Sequence, residues 1–243
     1  MSDERTGFAL PPGRLEPVDL DLSGANMCKR ISASVGKKYM MALAGIVWCL
    51  FVLAHLIGNF GLFLGQEHYN SYSEMLLSMG KVLYILEAGL VFFLLLHLIL
   101  GILVQIENWR ARPERYQLYR SKGGRTVGSR TMIYSGIAIV VFIVVHLLDL
   151  KYGDHVHDAA GRIDLYTATI GLLGDPVHAI GYLIAVCLVG LHVTHAFQSS
   201  VRTLGLNHDR YTPAVLATSW FLGFFVALGY GSIPVWILMG GGQ

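Results

Sequence analysis

Apolar residues fall into five long runs along this chain, separated by polar connections. The runs cover about residues 39–64, 82–106, 131–149, 176–199 and 214–239. Glu87 and Gln105 interrupt the second run, and Pro234 lies near the end of the fifth. A helix needs about 20 residues to cross roughly 30 Å of hydrocarbon. Every run is long enough, the third only just. Porin-type strands would alternate over about 10 residues, and these runs do not alternate. The pattern therefore predicts an all-α integral membrane bundle of five transmembrane helices over residues 31–243. Residues 1–30 are polar, with Asp3, Glu4, Glu16, Asp19 and Asp21, and read as a tail lying against something soluble. No basic segment followed by an apolar stretch and a small-residue cleavage site is present there, so no signal peptide is expected.

Charge sorts the connections into two kinds. Lys29, Arg30, Lys37 and Lys38 precede the first run. Arg110, Arg112, Arg115, Arg120, Lys122, Arg125 and Arg130 lie between the second and third, and Arg202 and Arg210 between the fourth and fifth. The intervening connections are acidic, with Glu67 and Glu74 in one and Asp149, Asp154, Asp158, Asp164 and Asp175 in the other. Basic connections mark the cytoplasmic side. The expected topology is a cytoplasmic N-terminus, an extracytoplasmic C-terminus and a multi-pass place in the cytoplasmic membrane.

Composition agrees. Apolar residues are 54% of the chain and charged residues 14%, against about 25% charged in a soluble domain. A soluble fold and a disordered chain are excluded, and the net charge of +2 gives no reason to expect nucleic acid. Cys28, Cys49 and Cys187 are too scattered for a disulfide framework or a covalent haem attachment motif.

Histidine changes the picture most. Of ten histidines, His55, His97, His146, His192 and His195 fall inside the first four runs, where a polar ring is costly without a partner. At about 1.5 Å per residue, His55 and His146 lie about 25 Å from Lys38 and Arg130. His97 and His192 lie roughly 15–20 Å from Arg110 and Arg202. The rings sort into an outer and an inner pair, which is what two bis-histidine b haems between helices require. Gly58, Gly101, Gly136 and Ala196 would let a flat macrocycle approach the backbone. His192 and His195 stand one turn apart, and spacing does not choose between them. A Rieske-type cluster drawing on Cys49 and Cys187 is an alternative, although no local Cys-x-His pattern supports it. A transporter, or an anchor without cofactor, would be a different class. No internal repeat points to the former.

The motifs resemble a known family. SVGKKYMMALAG and HLIGNFGLF in the first run, LHLILGILVQIENWRARPERY around the second, SRTMIYSG and VVHLLDLKYG around the third, and LHVTHAFQSSVRTLGLNHDRYTP after the fourth occur in order over about residues 31–213. Together they resemble the five-helix, di-haem cytochrome b membrane anchor of succinate:quinone oxidoreductases and fumarate reductases (respiratory complex II). Relatives often carry glycine where Ala196 stands.

The resemblance implies the ligands. His97 and His192 would hold the haem near the soluble subunits, and His55 and His146 the distal one. A flavoprotein and an iron–sulfur subunit would dock on the cytoplasmic face. The chain would carry succinate electrons through two b haems to a quinone such as menaquinone, or run in reverse as a fumarate reductase anchor. It has no dinucleotide-binding or ferredoxin-type motif, so succinate chemistry would belong to its partners. Ser129 and Arg130 are candidate contacts for the haem propionates. Glu87, an intramembrane carboxylate, is the leading candidate for the quinone site, with Asn59, Lys81 and His178 beside it.

Overall fold

The computed structural model describes residues 34–111, 127–153, 156–206 and 208–242. The expected tail at residues 1–30 and the side chains of Ser129 and Arg130 lie outside the described residues. Seven α-helices are described: α1 Ser34–Asn59, α2 Gln66–Ser78, α3 Lys81–Arg110, α4 Val127–Leu150, α5 Leu165–Gly174, α6 Pro176–Thr203 and α7 Thr212–Leu238. A 3-10 turn at Phe60–Leu64 extends α1. Five of these elements are long and apolar enough to cross a membrane: Val35–Leu64, Lys81–Arg110, Thr131–Leu150, Pro176–Thr203 and Thr212–Leu238. The chain is thus an apolar all-α bundle of the multi-pass membrane type, and each long helix overlies one of the five runs.

Two elements were not anticipated. The first and third connections read as polar loops, yet they contain α2 and α5. The ten-residue α5 is apolar but too short to span. Asp164 caps it by accepting the Thr167 N–H at 3.1 Å, the usual device for an orphan first-turn donor. Asp175 does the same for α6, whose first residue is Pro176.

α2, α5 and the loop between α4 and α5 form a cap over one end of the bundle. Leu62, Tyr69, Leu173, Ile233 and Ile237 make its apolar core, with Tyr166, Ile170 and Trp236 packed against them. A polar network ties it down. Asn70, fully buried, donates to Asp164 Oδ1 at 2.9 Å and accepts from the Tyr166 N–H at 3.0 Å. Arg162 bridges Glu67 at 2.7 Å and Asp158 at 2.8 Å. This is the acidic end of the bundle. Lys37 and Glu107 form an ion pair near the other, basic end.

α6 and α7 approach most intimately. A Cβ added at Gly190 would lie 2.6 Å from the Gly223 carbonyl oxygen, and one at Gly223 would lie 1.8 Å from Thr194 Oγ1. Small residues permit such backbone contact between membrane helices. On the opposite side, α1, α3, α4 and α6 stand around a cavity of about 630 Å³.

Candidate functional site

The intramembrane histidines are brought together in pairs, each from two different helices. His97 of α3 meets His192 of α6 with ring centres 6.3 Å apart and planes at 71°. His55 of α1 meets His146 of α4 with ring centres 5.9 Å apart and planes at 84°. The pairing is the one expected from depth. It arises because α1 and α4 place their histidines near the acidic end, and α3 and α6 place theirs closer to the basic end.

The inner pair, His97 and His192, lines the 630 Å³ cavity, which is within the usual size range for a cofactor site of about 300–1,000 Å³. His97 Nδ1 lies 3.0 Å from the Met41 carbonyl oxygen. A carbonyl only accepts, so Nδ1 carries the proton and Nε2 keeps its lone pair. His192 Nδ1 lies 3.0 Å from Ser135 Oγ. Both rings are held by the nitrogen that would face away from a ligand, the arrangement that orients metal-binding histidines. Gly45 sits under the His97 ring, where an added Cβ would lie 3.2 Å from Cε1. Gly101 and Gly136 also line the cavity, as does His195. Gly58, by contrast, packs against Tyr72 of the cap.

The outer pair has aromatic walls. Phe51 stacks on His55 at 5.4 Å, and Tyr230 lies 6.1 Å from it. Phe142 and Tyr182 lie 5.7 and 6.0 Å from His146. His146 Nδ1 is buried without a hydrogen bond, and so is the indole N–H of Trp48, which lines the cavity. Buried polar atoms left without partners cost about 1–3 kcal/mol each, which fits a site completed by another group.

The donor chemistry fits b haem. Each pair supplies two neutral-imidazole donors, the axial set such a haem takes. Each pair brings two imidazoles from different helices to about 6 Å between ring centres. A Rieske-type site is less well served. Cys49 and Cys187 are both free. Among the described residues no group of three or more His, Cys, Asp or Glu side chains could hold a metal ion.

The candidate quinone residues are dispersed. Glu87 of α3 pairs with Lys151, just past α4. Asn59 donates to the His55 carbonyl at 2.8 Å and accepts from Tyr69 at 3.2 Å. Lys81 is exposed at the start of α3. His178 Nδ1 lies 2.6 Å from Asp175 Oδ2, and this pairing, first among the causes, holds the Asp175 carboxyl below its ordinary value. All four belong to the acidic half, but no hydrogen bond joins them to one another among the described residues. A smaller groove of about 340 Å³ between α4 and α6 includes His178 and Tyr182.

Sequence reasoning missed the polar lining of the main cavity. Gln105, Gln198, Arg202 and Thr203 share it with the inner histidines, and Gln198 accepts from Arg202 at 2.8 Å. A guanidinium here suits a carboxylate. The signal was available, since Arg202 follows His192 and His195 by two to three helical turns on α6. Comparison of the chain with protein-family models, with curated proteins and with solved structures gave no match. No family is identified by these comparisons.

Proposed function

We propose that this chain is the di-haem cytochrome b membrane anchor of a succinate:quinone oxidoreductase. The observation that carries this reading is the pair of interhelical histidine couples at two depths of one bundle. His97 and His192 would ligate the haem nearer the basic end, and His55 and His146 the one nearer the acidic end. Bound haem supplies reversible one-electron chemistry at its iron.

The chain's own residues do the rest. The Met41 carbonyl and Ser135 hydroxyl fix the inner rings, and Phe51, Phe142, Tyr182 and Tyr230 keep water from the outer ones. Arg202 and Gln198 provide a polar end for haem carboxylates, a role also open to Ser129 and Arg130. The basic end faces the cytoplasm by the distribution of Lys and Arg and is where a flavoprotein and an iron–sulfur subunit would dock. The acidic end, with Glu87, Asn59, Lys81 and His178, faces outward and would exchange protons with quinone. Direction of electron flow belongs to the soluble subunits and the quinone, so the same anchor would serve a quinol:fumarate reductase.

A reduced-minus-oxidised spectrum of the membrane complex tests this. A b-type α-band, with a flavoprotein and an iron–sulfur protein co-purifying, supports the reading. A chain that folds in membranes and shows no haem absorbance contradicts it.

A further inference from the structure

His192 and His195 stand one turn apart on α6, and both line the cavity that holds the inner pair. Spacing leaves either free to bind a metal. The hydrogen bonds do not. Ser135 of α4 has one hydroxyl proton, and Oγ lies 3.1 Å from the Met132 carbonyl oxygen, to which it donates. Its lone pairs are then left for His192 Nδ1, 3.0 Å away. With its proton on the Met132 carbonyl, the hydroxyl can accept from a His192 Nδ1–H, and that tautomer is the one that leaves Nε2 bare for a metal. The ring lies against the next residue as well, since a Cβ added at Gly136 would meet His192 Cε1 at 3.6 Å. His195 has no hydrogen-bond partner among the described residues. No hydrogen bond among the described residues selects its tautomer, and holding the ring for a metal would cost side-chain entropy.

Resting on the di-haem reading, we infer that Ser135 is the positioning residue that makes His192, rather than His195, the haem ligand on α6. It acts through the imidazole and does not touch the iron. An acceptor at Nδ1–H also makes the imidazole a stronger donor, which favours the ferric state. Loss of the hydroxyl therefore raises the potential of that haem.

The test uses the intact membrane complex and two readouts besides turnover: haem lost to excess apomyoglobin, and the midpoint potential of each haem. His97→Ala identifies which signal belongs to the inner site. Ser135→Ala should weaken haem retention there by about 10–100-fold and raise that haem's potential, with the outer haem unchanged as the internal control for folding. Ser135→Thr, which keeps the hydroxyl, should restore both values. The inference is overturned if Ser135→Ala leaves retention and potential at the inner site unaltered. It is equally overturned if both haems are lost together and threonine does not rescue them, or if His195→Ala removes the inner haem and His192→Ala does not. A wild-type complex without haem would overturn the functional reading itself, and this inference with it.

Discussion

At the residue scale, each polar side chain in the membrane needs a partner. His97→Ala should remove one of the two haems and nearly abolish electron flow from succinate to quinone, as read by haem content and by steady-state turnover. Glu87 was selected because an ionisable group in an apolar run demands an explanation, and the ion pair with Lys151 supplies a structural one. The two roles separate by mutation. Glu87→Gln should keep both haems and slow quinone turnover about tenfold, roughly 1.4 kcal/mol in the barrier, while Lys151→Met leaves turnover near wild type. Equal slowing by both substitutions would mean that the ion pair, not proton exchange, is what matters. The four paired intramembrane histidines were legible because each stands out within a long apolar run. Their anchors were not. The Met41 carbonyl and Ser135 hydroxyl look like any others in a helix until packing sets them against an imidazole on another helix.

At the element scale, the cap over the acidic end is held by carboxylates. The Glu67 carboxyl sits below its ordinary value, chiefly through the hydrogen bond from Arg162. Burial pushes Asp158 and Asp164 upward. Hydrogen bonds from Arg162 in the first case, and from Asn70, Thr167 and Gln66 in the second, outweigh it and leave both low. A carboxyl whose pKa falls on folding adds stability that is complete above its unfolded value and is lost as pH drops through the folded one. The cap should therefore hold at neutral pH and loosen only below about pH 4, where free Asp and Glu begin to protonate. Limited proteolysis of the α4–α5 loop across pH 3–7 would show this, and protection that weakens instead as pH rises would contradict it. Asn70→Ala should cost the cap about 1–3 kcal/mol, because it strands the Tyr166 N–H and removes a donor from Asp164. Gly223→Ala should be at least as damaging to the α6–α7 contact, with the added methyl driven into Thr194. Thermal unfolding in detergent measures both. The long helices were readable from apolar run length alone, whereas α2 and α5 were not. Their apolar faces are short, and they are folded onto the bundle by Asn70, Arg162 and Asp164, residues that in sequence look like ordinary loop polars.

At the scale of the whole molecule, the charged ends set the axis along which the histidines sort by depth. The basic end carries Lys37, Arg110 and Arg202, and the acidic end carries Glu67, Asp158, Asp164 and Asp175. A reporter fused after Gln243 should thus behave as extracytoplasmic, and activity only in the cytoplasm would mean that a span has been miscounted. The central claim is that four histidines from four helices hold two haems. Haem stoichiometry by pyridine haemochromogen, measured on the purified complex and on alanine variants of His55, His97, His146, His192 and His195, tests it most directly. Two b haems per chain are expected in the wild type, one in each of the first four variants, and two in His195→Ala. Two haems retained in any of the first four variants, or none in the wild type, would contradict it.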